Sequence, residues 1–196
     1  MAKLAFTKMH GIGNDYIYVD CTRQDFPYDP AAVSRALSPR RFAVGADGLV
    51  LILTSQSADF KMRIFNADGN EASMCGNASR CVAKFVSERG LTDREEIRLE
   101  TNSGIKILRI HPDEVREGVV AAVTVDMGPP SFAPQDLPAL VEGEEWIGRE
   151  LDFGGYAREA TLVGMGNPHA VLFYEEDLAG LDLEKIGPIV EHSALF

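Results

Sequence analysis

The sequence predicts a mixed α/β fold built from two similar domains. Short strand-like runs alternate with turn signals through the first two thirds of the 196 residues. One amphipathic helix, Ala78–Val86, is clearly marked among them. A G-x-G-N pattern occurs at Gly11–Asn14 and again at Gly164–Asn167, with a proline-rich segment between the two copies. Such a repeated pattern, divided by a boundary segment, indicates a duplicated domain.

The predicted strands of the first part are rich in β-branched and aromatic residues. Phe60–Phe65 alternates apolar and polar residues, as a half-buried strand does. The turn signal Asn102-Ser103-Gly104 predicts a hairpin between Ile97–Glu100 and Ile105–Ile110. The same criteria predict three further strands: Leu4–Met9, Tyr16–Asp20 and Leu49–Thr54.

Two helices are predicted in the first domain. Pro30–Leu37 has a proline near its start, where the missing N–H costs nothing. The second helix follows Cys75, and Gly90 stands where a C-terminal glycine cap belongs. Its apolar residues recur at helical spacing and define one buried face: Ala78, Cys81, Val82, Phe85 and Val86.

Residues 128–138 contain four prolines and no periodicity, which is typical of a boundary or a long connecting loop. Beyond them the sequence predicts strands at Ala157–Val163 and Ala170–Tyr174, and a helix at Leu183–His192 interrupted near Pro188. We place an N-terminal domain at residues 1–118 and the first part of a C-terminal domain at 119–196. The repeat implies that the second domain is incomplete in this chain, because its copy of the Cys75 motif would lie beyond residue 196.

Composition and charge exclude several classes of protein. Hydrophobic residues make up 45% and charged residues 25%, as in globular domains and unlike disordered chains. The net charge of −11 argues against a nucleic-acid partner, which needs a basic footprint. The longest apolar run, Leu49–Leu53, is too short to span a bilayer, and the N-terminus lacks a secretory signal. We therefore expect a cytoplasmic protein with no membrane partner.

The three cysteines argue against both a disulfide scaffold and a metal site. Cys21, Cys75 and Cys81 are odd in number and form no C-x-x-C pair. The histidines His10, His111 and His192 share no spacing typical of metal ligands. No metal is expected.

Cys75 is the first candidate for chemistry. It directly precedes a helix, so the partial positive charge of the helix N-terminus stabilises a thiolate there. The free N–H groups of Gly76 and Asn77 can hold a carboxylate or phosphate. A base beside an anion cradle suits the removal of a proton from carbon next to a carboxylate. The alternative, a small residue buried at a helix start, stays open, and Cys21 and Cys81 are interpreted as structural.

His169 and four turn asparagines complete the candidate set. His169 pairs with Cys75 in a hydrolase-type dyad or makes only a structural hydrogen bond in its loop, and the sequence leaves both open. Asparagine is common in turns because it tolerates left-handed geometry. It is also a neutral hydrogen-bonding group suited to a zwitterionic ligand, and four such residues accompany the candidate chemistry: Asn14, Asn66, Asn77 and Asn167.

The sequence resembles the diaminopimelate epimerase family, the cofactor-independent enzymes of lysine and peptidoglycan precursor synthesis. The resemblance runs in family order along the whole chain. It rests on five segments: K-M-H-G-I-G-N-D-Y at Lys8–Tyr16, G-A-D-G-L at Gly45–Leu49, R-I-F-N-A-D-G-N-E at Arg63–Glu71, M-C-G-N-A-S-R-C at Met74–Cys81 and M-G-N-P-H at Met165–His169.

The resemblance implies a role for each matching residue. Cys75 matches one of two catalytic cysteines, and His169 matches a histidine that supports catalysis. Gly76 and Asn77 match the backbone cradle for the reacting carboxylate. The remaining matches are substrate-binding asparagines: Asn14, Asn66 and Asn167.

This chain departs from the family pattern in two ways, and the resemblance also implies an architecture. Some relatives carry a substrate-contacting Gln where Gly48 stands here, and the second catalytic cysteine, in a C-G-T/S-G motif, would lie beyond this chain. The fold implied is two domains, each a curved, mostly antiparallel sheet around a central helix, in a homodimer. The activity implied is epimerisation of diaminopimelate by a thiolate and a thiol, without cofactor. Two alternatives stay open: a racemase of another amino acid on the same fold, and a non-catalytic ligand-binding fragment.

Overall fold

The structure, a computed structural model, describes residues 3–196, and its contacts divide the chain after Met127. Unit 1 ends at Met127 and unit 2 is Gly128–Phe196. The helices of unit 1 are α1 (Pro30–Leu37) and α2 (Gly76–Glu88). Its strands are β1 (Thr7–Gly11), β2 (Asn14–Asp20), β3 (Gly48–Leu53), β4 (Phe60–Asn66), β5 (Glu71–Ala72), β6 (Glu96–Thr101), β7 (Gly104–Ile110), β8 (Val115–Arg116), β9 (Val119–Val120) and β10 (Val123–Asp126).

Most of the unit 1 strands form one sheet in the order β1-β2-β3-β4-β6-β7-β10, with β5 paired to β4. The pairs β2–β3 and β4–β6 are parallel and the others are antiparallel. Helix α2 packs against β1 and β2 at one edge of this sheet and against β7 and β10 at the other edge. The sheet must therefore curl around α2, which confirms the predicted curved, mostly antiparallel sheet around a central helix.

The period of the strands explains which side α2 covers. On β2, Tyr16 and Tyr18 face α2, whereas Ile17 and Val19 point to the opposite face, where α1 packs. The predicted apolar face of α2 is buried throughout. Fully burying one large aliphatic or aromatic side chain contributes roughly 1.5–3 kcal/mol, so this interface fixes the start of α2 against the strand ends.

Unit 2 is smaller. Its strands β11 (Arg149–Asp152), β12 (Ala157–Gly164) and β13 (Pro168–Leu172) form an antiparallel sheet. Helix α3 (Leu183–Glu191) contributes Ile189 and Val190 to a core with Leu151, Ala160 and Leu162.

Two features differ from the sequence-based expectation. Val123–Asp126 pairs with β7, so these residues belong to unit 1 and the division falls after Met127 rather than after residue 118. Helix α3 continues through Pro188 instead of breaking there. Its N-cap carboxylate, Asp182, accepts the Lys185 N–H, and a proline within so short a helix removes only one backbone donor. None of the helices formed by residues 3–196 is long and apolar enough to cross a membrane.

Candidate active site

Three sequence-predicted positions lie side by side at one end of the unit 1 sheet. Gly48 pairs with Tyr16 on β2 and with Asn66 on β4, and Asn14 begins β2 two residues before Tyr16. Alternation along the strands places Asn14, Gly48 and Asn66 on the face that α2 covers. The sheet thus brings three residues that are far apart in sequence to the N-terminal end of α2.

Cys75 occupies the N-cap position of α2. Its backbone is extended, with φ −146° and ψ 116°, and its side chain does not cap the helix. The Cys75 carbonyl accepts hydrogen bonds from the N–H and the hydroxyl of Ser79, at 2.9 and 3.0 Å. The N–H groups of Gly76 and Asn77 precede the first intrahelical bond, so they remain available to an anion.

The Cys75 thiol lies against two of the predicted asparagines. Its Sγ donates to Asn14 Oδ1 at 3.4 Å, and Asn77 Nδ2 donates to the same oxygen at 3.4 Å. Asn77 Oδ1 in turn accepts a hydrogen bond from the Arg80 guanidinium. The structure therefore brings four of the candidate residues into contact: Cys75, Gly76, Asn77 and Asn14.

A charged group lies behind Asn14. Asp47 Oδ2 accepts from Asn14 Nδ2 at 2.8 Å and from the Asp15 backbone N–H at 3.0 Å. Arg40 bridges the other Asp47 oxygen, at 2.7 Å, and the Asp15 carboxylate, at 2.6 Å. The Arg40 guanidinium and the Lys8 ammonium hold the pKa of Asp15 well below its ordinary value. This network anchors the start of β2 to the loop that precedes β3.

Two glycines, one on each side of Asp47 in the sequence, allow the backbone around this carboxylate to pack closely against its neighbours. A Cβ at Gly48 would lie 2.0 Å from the Phe65 carbonyl oxygen, so no side chain fits there without moving β4. The Gln that the resemblance leads one to expect at this position would therefore not fit this backbone. Gly45 has φ +76°, and a Cβ there would lie 2.7 Å from the Arg40 Cα. The motif G-A-D-G thus places Asp47 between two points where only glycine fits.

The other two thiols, Cys21 and Cys81, lie in surroundings that disfavour the thiolate. Burial, followed by the nearby Asp20 carboxylate, raises the pKa of Cys21 to about 11. Burial likewise raises the pKa of Cys81, which packs in the core cluster around α2. Tyr16 lies beside the site, and burial raises its pKa to about 12, so this hydroxyl stays protonated at neutral pH.

The remaining predicted residues are Asn66, the last residue of β4, and two residues of unit 2. Asn66 lines a hollow of about 510 Å³ together with Arg40 and Asp47. In unit 2, Asn167 lies exposed in the turn between β12 and β13, and its carbonyl accepts the Met165 N–H at 3.0 Å. His169, on β13, lines an apolar cavity of about 570 Å³ within unit 2. No hydrogen bond of the His169 ring is present among the described residues.

Sequence reasoning missed two residues of the site. Asp47 lies in the G-A-D-G-L segment and Arg80 in the Met74–Cys81 segment, and neither was assigned a role from the sequence. Both contact a predicted asparagine. The usable signal was the carboxylate of G-A-D-G between two glycines, because such glycines indicate a close backbone approach.

Solved structures share this fold at low sequence identity. A probable proline racemase from Agrobacterium radiobacter K84 superimposes with a TM-score of 0.62 at 18% identity, covering 94% of this chain and 53% of the other. A hydroxyproline epimerase from Agrobacterium vitis gives a TM-score of 0.57 at 20% identity, covering 93% and 52%. At this identity the likeness establishes the fold alone.

Sequence comparison gives the family. A relative named diaminopimelate epimerase from Acetivibrio thermocellus is 48% identical over 98% of this chain and 67% of its own length. The relative of that name from Bacteroides thetaiotaomicron is 50% identical over 99% of this chain and 66% of its own. The chain thus spans about two thirds of the length of the curated relatives it matches. The diaminopimelate epimerase family model matches residues 6–133, and this chain belongs to that family.

Proposed function

We propose that the protein containing this chain epimerises LL-2,6-diaminopimelate to the meso form, in lysine and peptidoglycan precursor synthesis. The substrate is a free amino acid, and the working form is a homodimer in the cytoplasm. The observation that carries the proposal is the placement of Cys75 at the open N-terminus of α2, in contact with Asn14 and beside Asn77. Relatives at 48–50% identity carry the name of this activity.

The proposed chemistry inverts one carbon centre with two thiols. A thiolate on one face removes the α-proton, and the electron pair of the broken C–H bond delocalises into the carboxylate. The N–H groups of Gly76 and Asn77 then stabilise the additional negative charge on the carboxylate oxygens. A thiol on the opposite face delivers a proton to carbon, which completes the inversion. Cys75 supplies one of these groups and, in the reverse direction, the other.

The remaining predicted residues serve binding in this proposal. A diaminopimelate molecule carries ammonium and carboxylate groups, which need both donors and acceptors around them. The amides of Asn14, Asn66 and Asn167 offer both. His169 supports the proton transfer, as the family resemblance implies.

Deuterium exchange tests the proposal directly. The full-length protein, incubated with LL-diaminopimelate in deuterated water, should exchange the α-proton and form the meso isomer, followed by NMR. Cys75→Ala should lower the rate by roughly 10²–10⁴-fold, the usual contribution of a positioned acid or base. Cys21→Ala, which removes a thiol outside the site, is the matched control. Exchange with proline or histidine but not with diaminopimelate would contradict the substrate, and full turnover by Cys75→Ala would contradict the mechanism.

Selective alkylation tests the role of Cys75 without substrate. Iodoacetamide reacts with thiolates, and the raised pKa values of Cys21 and Cys81 keep these two protonated at pH 7–8. Cys75 should therefore be modified first, as measured by peptide mass spectrometry over time. As pH rises toward 11, Cys21 should begin to react as well. Faster labelling of Cys21 or Cys81 at pH 7 would sink the assignment.

A further inference from the structure

Four side chains form one continuous hydrogen-bonded chain across the candidate site. Arg80 donates to Asn77 Oδ1, and Asn77 Nδ2 donates to Asn14 Oδ1 at 3.4 Å. Asn14 Nδ2 then donates to Asp47 Oδ2 at 2.8 Å. The Cys75 thiol joins this chain at Asn14 Oδ1.

The two ends of the chain fix its direction. A guanidinium has only donors and a carboxylate has only acceptors, so neither end can reverse its role. Asn77 must present its oxygen to Arg80, and Asn14 must present its NH₂ to Asp47. If the Asn14 amide turned over, its NH₂ would face the Asn77 NH₂ and its oxygen would face the Asp47 carboxylate. Both contacts would become repulsive, so one amide orientation is strongly preferred.

We propose that Asp47 is a positioning residue that holds the Asn14 amide so that its oxygen faces the Cys75 sulfur. An oxygen acceptor at this place stabilises the thiol, because it accepts the S–H and repels a thiolate. The opposite orientation would present N–H donors to the sulfur and stabilise the thiolate. Asp47 thereby makes the protonated form of Cys75 more favourable than it would be with the opposite orientation of the Asn14 amide. This inference rests on the proposed function, in which Cys75 donates a proton in one direction of the reaction.

Asp47 is itself held firmly. Its Oδ2 also accepts the Asp15 N–H, and its Oδ1 pairs with Arg40. Among residues 3–196, the ionisable groups that interact with Cys75 include Tyr16 and Tyr18 on β2 and Cys81 on α2. Burial raises the pKa of each of the three, so they do not change charge between pH 6 and 8. Replacing Asp47 therefore removes the carboxylate that the Asn14 NH₂ faces, without a change of charge at these three groups.

The test is the pH dependence of Cys75 alkylation in Asp47→Asn. An asparagine at position 47 offers NH₂ as well as oxygen, so Asn14 is no longer held in one orientation. The alkylation curve should move to lower pH by about one unit, and the rate at pH 7 should rise about tenfold in step with the thiolate fraction. Peptide mass spectrometry resolves Cys75 from Cys21, whose rate should stay constant. An unchanged curve for Asp47→Asn overturns the inference.

Two control variants distinguish the effect of the Asn14 amide orientation from the effect of removing a negative charge. Asp15→Asn removes a negative charge from the same network without touching the Asn14 side chain. Asp59→Asn removes a carboxylate that likewise accepts a backbone N–H and an arginine, but at the start of β4. Both variants should alkylate within about twofold of the parent protein. A tenfold rise in Asp15→Asn would mean that charge alone governs the thiol, and it would overturn the inference.

A double-mutant cycle completes the experiment. In an Asn14→Ala background, Asp47→Asn should change the Cys75 rate by less than twofold, because the amide through which Asp47 acts is gone. A tenfold rise in that background would contradict the route through Asn14. If Asp47→Asn does not fold, as judged by circular dichroism, Asp47→Ser takes its place with the same expected direction. Alkylation needs no substrate, so a shifted curve with no α-proton exchange would leave this inference standing while the proposed function fails.

Discussion

The same G-x-G-N pattern forms a hairpin turn in both units, but the two hairpins hold their asparagines differently. In unit 1, Gly11 pairs with Asn14 across a two-residue turn, and Asn14 already belongs to β2. In unit 2, Gly164 pairs with Pro168, so Asn167 stays in a three-residue turn. The second glycine of each pattern has a positive φ, +80° at Gly13 and +92° at Gly166. The pattern therefore specifies the turn and leaves the asparagine's place open.

Because the two asparagines occupy different positions in their turns, their side chains differ in how firmly they are held. The Asn14 side chain bonds to Asp47, Cys75 and Asn77, whereas the Asn167 side chain is exposed to solvent. What distinguishes them is the neighbouring structure: α2 and the loop before β3 surround the first hairpin. A short motif thus predicts the geometry of the turn. The surrounding fold decides whether the asparagine side chain is held in one position. Matched substitutions in the two hairpins can test this conclusion.

The largest difference is expected at the first glycine of the pattern. A Cβ at Gly11 would lie 3.0 Å from the Asn77 backbone oxygen, whereas a Cβ at Gly164 would lie 3.0 Å from the Leu137 Cδ2. A side-chain methyl group can move aside, but the first turn of a packed helix cannot. Gly11→Ala should therefore lower the free energy of unfolding by about 2 kcal/mol, within the usual range for overpacking, and Gly164→Ala by less than about 1 kcal/mol. Urea unfolding followed by circular dichroism measures both, and equal losses would contradict the distinction.

A smaller difference is expected at the asparagines. Asn14→Ala removes one donor from Asp47 and should cost about 1 kcal/mol of unfolding free energy. Asn167→Ala removes an exposed side chain and should stay within about 0.5 kcal/mol of the parent. Trp146, the single tryptophan, lies in unit 2, so its fluorescence reports the Asn167 variant there. A cost at Asn167 as large as that at Asn14 would show that both turns are equally fixed.

The smallest difference is expected at the residue that stands between the two glycines of each pattern, Ile12 in unit 1 and Met165 in unit 2. Ile12 is 88% exposed and has φ +54°, an unfavourable conformation for a β-branched residue. Ile12→Asn creates the Asn-Gly pair preferred in two-residue hairpin turns and should raise the free energy of unfolding by about 0.5 kcal/mol. Met165, its counterpart, has no positive φ, so Met165→Asn should bring no gain. Thermal unfolding of the two variants checks this, and a loss of stability in Ile12→Asn would contradict the strain.

Much of unit 1 could be predicted because its signals are local. The helix predicted at Pro30–Leu37 from the proline near its start has those bounds, and the Asn102-Ser103-Gly104 turn joins β6 to β7. The strand predicted at Leu4–Met9 begins and ends later, at Thr7 and Gly11, because pairing with β2 sets its limits. Local patterns could not give the sheet order. That order depends on which distant strands can cover α2 together.

The candidate site likewise has one part that the local sequence indicates and another part that only the fold brings together. Cys75, Gly76 and Asn77 are consecutive, so a helix start beside a thiol was visible in the sequence. The bond from Asn14 to Asp47 joins the first residue of β2 to the residue just before β3, and predicting it needed the register of these two parallel strands. The two-residue strands β5, β8 and β9 and the four-residue strands β10 and β11 also went unpredicted. Segments so short carry too few residues to display alternation.

The packing of α2 against both edges of its sheet sets the order in which unit 1 can be completed during synthesis. The ribosome makes β1 and β2 first and the helix next, but β10 ends only at Asp126. Until that strand has emerged, the side of the helix that faces β7 and β10 has no cover and its apolar surface is open to other chains. The contacts that enclose α2 therefore join strands from the beginning and from the end of unit 1, and contacts between residues so far apart in sequence slow folding.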